Sequence, residues 1–361
     1  MTSPVFVIAE AGVNHNGSMD MARQLIDVAA EAGADAVKFQ TFKSEAVISK
    51  AARKAEYQVT NTGNDESQLD MVRKLELGVE EHRQLIAHAN SRGIRFLSTP
   101  FDIGSLHLLV DEFDLPQLKI PSGEITNLPL LVASGRSGRP LIVSTGMATM
   151  GEVEQALAVL AFAMTAPAQA RPTGDAVREA FVSPAGQRAL RERISLLHCT
   201  TEYPAPVAEV NLRAMQAMRA AFGLPVGYSD HTEGIHVSVA AVALGATIIE
   251  KHFTLDRALP GPDHVASLEP GELRALVRAV RDVSAALGDG IKVPAPSEIK
   301  NTTVARKSLV AATAIAKGEP FTEANLTTKR PGSGISAMRH ADFLGRMATR
   351  AYAADDLIQE P

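Results

Sequence analysis

The chain has 361 residues, 45% of them apolar and 21% charged, which is typical of a globular protein with material for about two domains. Its formal net charge of −5 argues against a protein that binds nucleic acid. The single cysteine, Cys199, excludes internal disulfides. The amino terminus lacks the basic segment of a signal peptide, and the longest apolar stretch, 237–249, is too short to span a bilayer. These features predict a cytoplasmic protein without a membrane partner.

Eight short runs rich in Val, Ile and Leu are predicted to be strands. They cover residues 5–10, 35–40, 94–99, 117–120, 141–145, 194–199, 225–229 and 246–252. Helical periodicity separates them; after strand one, for example, Ser18 suits a helix N-cap and Gly33 suits the helix end. Eight strand–helix units in residues 1–288 predict a (β/α)₈ TIM barrel. An open doubly wound sheet is the alternative, although no glycine-rich nucleotide-binding motif follows any strand.

Polar residues end every predicted strand. In chain order they are Glu10; Lys38 and Gln40; Thr99; Lys119, Ser122 and Glu124; Ser144; His198; Ser229, Asp230 and His231; and Glu250, Lys251 and His252. The active sites of barrel enzymes lie at the carboxyl ends of the strands, where the eight loops converge. A barrel that served only as a scaffold would not need such a ring, so the ring predicts an enzyme.

Cationic and hydroxyl side chains in this ring predict a phosphate site. Lys38, Lys119, Ser122, Ser144 and Ser229 are all donors suited to phosphate oxygens. The alternative is that the two lysines only pair with carboxylates at the barrel mouth. The serines beside them favour the anion site.

His231 and His252 follow consecutive strands and are expected to be neighbours in a barrel. Two imidazoles can bind Mn²⁺, Zn²⁺ or Fe²⁺ and leave positions open for substrate and water. The alternative is that each histidine only makes a hydrogen bond, and no compact metal-binding motif decides between the two. Cys199 follows His198, but adjacent strand residues point to opposite faces, so Cys199 is interpreted as a buried side chain and not as a nucleophile.

Four segments depart from the simple strand–helix repeat. Residues 41–78 exceed an ordinary connection and are expected to contribute to function at the barrel mouth. Residues 163–193 are interpreted as a peripheral elaboration. A Gly- and Pro-containing linker is predicted at 289–301, followed by a small β-rich domain at 302–361 that is expected to pack against a partner. From the sequence alone, Arg330 in this domain is interpreted as a solvated charge.

The motifs of the chain, taken together, resemble the sialic acid synthase family over nearly its whole length. They include IAEAGVNHNGSMDMA, AGADAVKFQTFK, FLSTPFD, KIPSGE, STGMAT, LLHCTTEYPAP, GYSDHT, IEKHFTLD and TTKRPG, in the family's order. Only 163–193 is unlike the family, being longer and richer in alanine.

The resemblance implies a (β/α)₈ barrel followed by an antifreeze-like (SAF, β-clip) domain, which in a homodimer covers the partner's barrel mouth. It implies condensation of phosphoenolpyruvate with N-acetylmannosamine in sialic acid biosynthesis, aided by a divalent metal. Mn²⁺ is expected, with Mg²⁺ or Co²⁺ as alternatives. A legionaminate or related nonulosonate synthase acting on a 2,4-diacetamido sugar is an alternative function, and a non-catalytic sugar-binding barrel is another. Thr201 and Arg306 differ from some family members and leave the sugar open.

The resemblance also implies a role for each matching residue. His231 and His252 resemble the metal ligands, and Arg330 resembles an arginine that reaches the partner's sugar site. The residues that resemble phosphoenolpyruvate contacts are Lys38, Thr99, Lys119, Ser122, Ser144 and Ser229. Those that resemble sugar contacts are Glu10, Gln40, Glu124, Tyr203 and Asp263. Lys38 and Lys119 are expected to stabilise the departing phosphate, and Glu124 is the candidate for proton transfer.

Overall fold

The computed structural model describes residues 4–63 and 66–360, and its first unit is a ring of eight parallel strands. The strands are β1 (Phe6–Gly12), β2 (Ala36–Thr41), β3 (Arg95–Pro100), β4 (Leu118–Ile120), β5 (Leu141–Ser144), β6 (Ile194–Cys199), β7 (Val226–Asp230) and β8 (Ile248–His252). β1 pairs with both β2 and β8, and β3 packs beside β4 to complete the ring. The predicted barrel is confirmed, and the open doubly wound sheet is wrong because the first and last strands pair.

Helices connect the strands. They are α1 (Met19–Glu31), α2 (Ser44–Val47), α3 (Glu56–Thr62), α4 (Gln68–Arg73), α5 (Val79–Ser91), α6 (Ile103–His107), α7 (Leu128–Arg136), α8 (Met150–Thr165), α9 (Gly174–Val182), α10 (Pro184–Arg193), α11 (Arg213–Phe222), α12 (His236–Ala243) and α13 (Pro270–Ala286). A π-helical turn, Leu108–Glu112, extends α6. As predicted, the Ser18 hydroxyl caps α1 by accepting the Met21 N–H, and Gly33 follows the helix with φ +79°.

Two apolar layers hold this unit together. Inside the ring, small and branched side chains fill the space between the strands: Ile8, Ala36, Leu97, Ile142, Leu197 and Ile248. A larger core lies between the outer face of the strands and the helices. Because side chains alternate along a strand, one set of residues fills the interior and the next packs against the helices. The same alternation decides which side chains reach the barrel mouth.

The two long connections have different structures. The 41–78 segment contains α2, α3 and α4 and lies over the carboxyl ends of the strands, where several of its side chains line a cavity. The 163–193 segment continues α8 and then forms α9 and α10, both of which pack against α8. It therefore lies on the outer helical layer, as a peripheral elaboration would.

The second compact unit comprises residues 289–361 and has its own core. It begins with α14 (Pro296–Ala305), so the predicted linker at 289–301 is partly helical. The antiparallel strands β9 (Ser308–Ala311) and β10 (Leu326–Lys329) follow. Isolated bridges join β9 to residues 336 and 357, and Ile315 to Tyr352, and the unit also contains α15 (His340–Phe343). Its buried residues include Leu309, Phe321, Phe343 and Tyr352.

None of the helices within residues 4–63 and 66–360 is both long and apolar enough to cross a membrane.

Candidate active site

A cavity of about 420 Å³ opens at the carboxyl ends of the barrel strands. It collects most of the residues whose positions in the sequence predicted a site. They are Glu10, Lys38, Gln40, Thr99, Lys119, Ser122, Ser144, Tyr203, Ser229, His231, His252 and Asp263. These residues come from all eight strands or the loops that follow them, so only closure of the barrel brings them together.

Four charged side chains form the floor of the cavity. The Lys119 Nζ donates to Glu250 Oε1 at 3.0 Å, and the Lys38 Nζ lies 3.6 Å from Glu250 Oε2 and also contacts Glu10. All four side chains are almost entirely buried. The Lys38 Nζ also donates to Thr99 Oγ1 at 2.9 Å, which further restrains the amino group.

The two carboxyl groups of this floor differ in their tendency to ionise. Burial raises the pKa of Glu10 to about 7, although Lys38 opposes the shift. Burial also opposes ionisation of Glu250, but Lys119 and Lys38 prevail and hold its pKa well below the usual range. Two lysines thus face one firmly ionised carboxylate and one that is partly protonated near pH 7. The floor carries a net positive charge, which suits an anionic ligand.

Three hydroxyls border this positive floor. The Ser229 hydroxyl donates to Glu250 Oε1 at 2.8 Å, and the Ser122 oxygen accepts the Gly146 N–H at 3.0 Å. The Ser144 hydroxyl is buried and has no hydrogen-bond partner among the described residues. A buried hydroxyl without a partner is costly unless a ligand or water binds it. Ser144 is therefore placed to donate to a bound anion.

The two predicted metal ligands are adjacent, with ring centroids 5.6 Å apart. The His231 Nδ1 lies 2.6 Å from the Thr200 carbonyl, so Nδ1 carries the proton and Nε2 keeps its lone pair. Burial lowers the pKa of His231 to about 4 and that of His252 well below its usual value. Both imidazoles are therefore neutral at pH 7, the form that binds metals.

The surroundings of His252 also fit a bound cation. Its Nδ1 is buried and has no hydrogen-bond partner in the part of the chain that the structure describes, and Asp263 Oδ2 lies 4.0 Å away. Gly12 (φ +53°) leaves space for such a cation, because a Cβ at this position would lie 3.2 Å from the His252 imidazole and 3.3 Å from Glu10 Oε1. No cluster of three or more His, Cys, Asp or Glu ligands is found among the described residues. Two imidazoles near two carboxyl groups fit a divalent cation that completes its coordination with substrate and water.

Aromatic rings and a buried acid border the imidazoles. The Tyr203 ring lies 4.2 Å from the His231 ring and 5.1 Å from that of Tyr57, which α3 contributes. The Asn61 side chain, also on α3, donates to the Pro262 carbonyl at 2.7 Å and so ties the 41–78 segment to the loop that carries Asp263. Burial raises the pKa of Asp263 to about 6.

The outer wall of the cavity is mostly apolar. It is lined by Val13, Phe42, Val47, Ile48, Met71, Val72, Leu75, Phe101 and Met147. Val13, Phe42 and Leu75 form a small buried cluster against which Val72 and Phe101 pack. Six of these nine residues belong to the 41–78 segment, so this insertion determines the apolar character of the wall, as its length suggested.

Five predicted residues do not line the cavity, and two of them, Asp230 and Lys251, form a buried ion pair with each other. His198 points out of the ring and donates from Nε2 to the Val210 carbonyl, so its place in the polar ring is wrong. Glu124 lies in a short 3₁₀ turn, and its carboxylate accepts from Asn127, the N-cap of α7. Its proton-transfer role stays a prediction that this position does not support. Arg330 belongs to the second unit, where its guanidinium donates to the Ala305 carbonyl.

Sequence reasoning missed several residues that line the cavity. Glu250 was placed in the polar ring but not among the site residues, although it holds both lysines. Tyr57 lies in the 41–78 insertion and was given no role in the site. Cys199 is buried, as expected, but it also lines the cavity, with its Sγ 3.1 Å from the Ser122 Oγ.

Comparisons with known proteins agree with this geometry. Residues 25–292 match the NeuB family and residues 306–361 match the SAF domain. The N,N′-diacetyllegionaminic acid synthase of Campylobacter jejuni is 55% identical over 354 residues, which cover 98% of both chains. The enzyme of the same name from Legionella pneumophila is 42% identical over 98% of this chain and 94% of its own.

A solved structure has the same fold. The N-acetylneuraminic acid (sialic acid) synthetase of Leptospira borgpetersenii is 35% identical and superposes with a TM-score of 0.66, covering 83% of this chain and 90% of its own. The family model covers most of the barrel, and these relatives match the chain over most of its length. The chain therefore belongs to the NeuB family, the sialic acid synthases, and carries the family's barrel followed by a SAF domain.

Proposed function

We propose that this enzyme condenses phosphoenolpyruvate with a 2,4-diacetamido sugar, releasing phosphate and forming N,N′-diacetyllegionaminic acid. The observation that carries the proposal is the 55% identity to the Campylobacter jejuni N,N′-diacetyllegionaminic acid synthase over 98% of both chains. The Leptospira N-acetylneuraminic acid synthetase is 35% identical. The order of the two sugar predictions is therefore reversed, and N-acetylmannosamine becomes the alternative substrate.

The apolar wall of the cavity supports this choice of sugar. An acetamido group in place of a hydroxyl adds a methyl group, which gains free energy when it leaves water for an apolar surface. Val47, Ile48 and Val72 present such a surface in the cavity that the imidazoles and the tyrosines also line. A sugar with more hydroxyls would bury some of them there without hydrogen-bond partners, at a cost.

The positive floor supports phosphoenolpyruvate as the second substrate. Lys38 and Lys119 provide ammonium groups for its phosphate and carboxylate, and the Ser144 hydroxyl is available as a donor. As C3 of phosphoenolpyruvate attacks the sugar aldehyde, positive charge develops at C2, where water then adds. The resulting tetrahedral intermediate loses phosphate by C–O cleavage, and the two lysines stabilise the departing charge. A non-catalytic barrel would not need these groups intact.

The imidazoles would hold a divalent cation, which we infer to be Mn²⁺. Such an ion supplies Lewis-acid polarisation of the aldehyde oxygen. Residues of the chain position the ligands. The Thr200 carbonyl orients His231, and the Tyr203 ring shields one side of the His231 and His252 imidazoles from water. Glu10, whose pKa burial raises to about 7, is better placed than Glu124 to exchange a proton near neutral pH.

A phosphate-release assay tests the proposal. The wild-type enzyme is supplied with phosphoenolpyruvate and either the 2,4-diacetamido sugar or N-acetylmannosamine, with Mn²⁺ or with EDTA, and Lys119→Met serves as the background control. We expect release that requires metal, with kcat/KM at least about tenfold higher for the diacetamido sugar, because one apolar group discriminates by that order. A preference for N-acetylmannosamine would overturn the sugar assignment, and no metal-dependent release with any sugar would overturn the synthase itself.

We also propose that the enzyme is a cytoplasmic homodimer in which the SAF domain of one subunit covers the barrel of the other. Arg330, exposed on the SAF domain and bonded only to a backbone carbonyl among the described residues, is free to serve a partner. Mixing an Arg330→Ala chain with a His231→Ala chain should restore up to about a quarter of the activity through mixed dimers with one intact site. Activity that stays at the level of the separate variants would contradict the arrangement.

A further inference from the structure

A buried ion pair lies directly behind the two imidazoles. The Lys251 Nζ is 3.1 Å from Asp230 Oδ2, and neither side chain has any exposed surface. The two residues are partners in the register of β7 and β8, one position before His231 and one before His252. The ion pair therefore links the ends of the two strands that carry the imidazoles.

Most of the other hydrogen bonds of the pair converge on one residue, Thr232. Asp230 Oδ1 accepts from the Thr232 N–H at 2.8 Å and from its hydroxyl at 2.7 Å. Asp230 Oδ2 accepts from the Ser238 hydroxyl at 2.6 Å. The Lys251 ammonium also donates to the Thr232 carbonyl. The backbone on both sides of His231 is thus held by charge-assisted hydrogen bonds.

Because side chains alternate along a strand, the ion pair can affect the residues that face the cavity. Ser229 and His231 face the cavity, and Asp230 between them faces the opposite side; Lys251 likewise lies between Glu250 and His252. The backbone at these positions cannot shift on one side without moving the side chains on the other. The distance between the His231 and His252 imidazoles therefore depends on the geometry of the ion pair.

Stability alone does not account for the pair. Removing two charges from water is costly, and an apolar pair of similar volume is often as stabilising as a buried ion pair. An ion pair with fixed hydrogen bonds instead specifies geometry, and residues behind metal ligands commonly do this.

We propose that Asp230 and Lys251 are positioning residues, which set the distance and orientation of His231 and His252 for a divalent cation. The proposal rests on the proposed metal site. It gives Asp230 a function that the sequence left unassigned, since Asp230 is neither a cation ligand nor a substrate contact.

The test measures Mn²⁺ binding to metal-free protein by calorimetry, without substrate. Asp230→Asn and Lys251→Met are expected to raise the Kd for Mn²⁺ by about 10- to 100-fold and to change the visible absorption spectrum of the Co²⁺-loaded protein. The matched control is Arg281→Met, which breaks the 2.7 Å contact with Asp35 near the amino-terminal end of β2. It should lower the melting temperature and leave the Kd and the spectrum unchanged.

Each outcome has a separate meaning. If the wild-type protein does not bind Mn²⁺, the metal site itself is wrong. If it binds and both variants bind equally well with the wild-type spectrum, the positioning role is wrong. Should Lys251→Met fail to fold, Asp230→Asn decides, because its amide oxygen keeps an acceptor for Thr232 while the negative charge and the second acceptor opposite Lys251 are lost.

Discussion

His231→Ala is expected to abolish metal-dependent turnover and leave the barrel folded. The variant removes the Nε2 lone pair, the Nδ1 hydrogen bond to the Thr200 carbonyl and a 3.4 Å contact between Nε2 and the Ser229 hydroxyl, and the ring it deletes is neutral. Loss of Lewis-acid assistance worth several kcal/mol corresponds to a fall in kcat of about 10³-fold or more. The measurements are phosphate release with saturating phosphoenolpyruvate, Mn²⁺ binding by calorimetry, and thermal unfolding.

The matched control is His236→Ala, an exposed histidine at the start of α12 that does not line the cavity. It should retain wild-type Mn²⁺ affinity and turnover. Wild-type activity in His231→Ala would remove this residue from the site. Equal losses in both variants would point to a general disturbance of the β7 loop instead of a lost ligand.

Glu250→Gln is expected to lower the free energy of unfolding at pH 7 by about 3–5 kcal/mol, since it leaves two buried lysines short of a carboxylate. The lysines hold the pKa of Glu250 below its ordinary value of 4.5, so its stabilising contribution is present above pH 4.5 and disappears as pH falls through the depressed pKa. The gap in stability between wild type and variant should therefore narrow in acid. Urea denaturation at a series of pH values measures it.

Turnover should fall as well, because Lys38 and Lys119 lose the carboxylate that holds them in place. A displacement of about 1 Å in positioned groups can cost about 10²-fold in rate. The control is Glu154→Gln on α8, an exposed carboxylate. It should match wild type in both measurements, and a Glu250→Gln protein as stable and active as this control would show that the lysines need no such partner.

Much of the fold could be predicted from local pattern. The eight apolar runs, the helix that begins after Ser18 and the polar residues at the strand ends all follow from short-range rules of strand and helix formation. The ring also predicted the neighbouring positions of His231 and His252, because consecutive parallel strands end side by side.

The predictions that were wrong or unsupported concern the direction in which a side chain points. His198 ends β6 like the other ring residues, but it is one position out of phase with the inward-facing Leu197 and Cys199. Glu124 lies beyond the end of β4, in a turn where strand alternation no longer applies. A period of two is visible in the sequence, but which phase faces inward is set by the closure of the barrel.

The sequence by itself determined the barrel, the two-part organisation of the chain, and a set of cationic, hydroxyl and imidazole groups at the strand ends, since these depend on neighbouring residues. Only the tertiary structure decided which charges pair. Lys119 and Glu250 are 131 residues apart and meet across the barrel, and Asp230 becomes an ion-pair partner only once β8 lies beside β7. Coulombic contacts and burial depend on distance in space, and a linear pattern does not contain that distance.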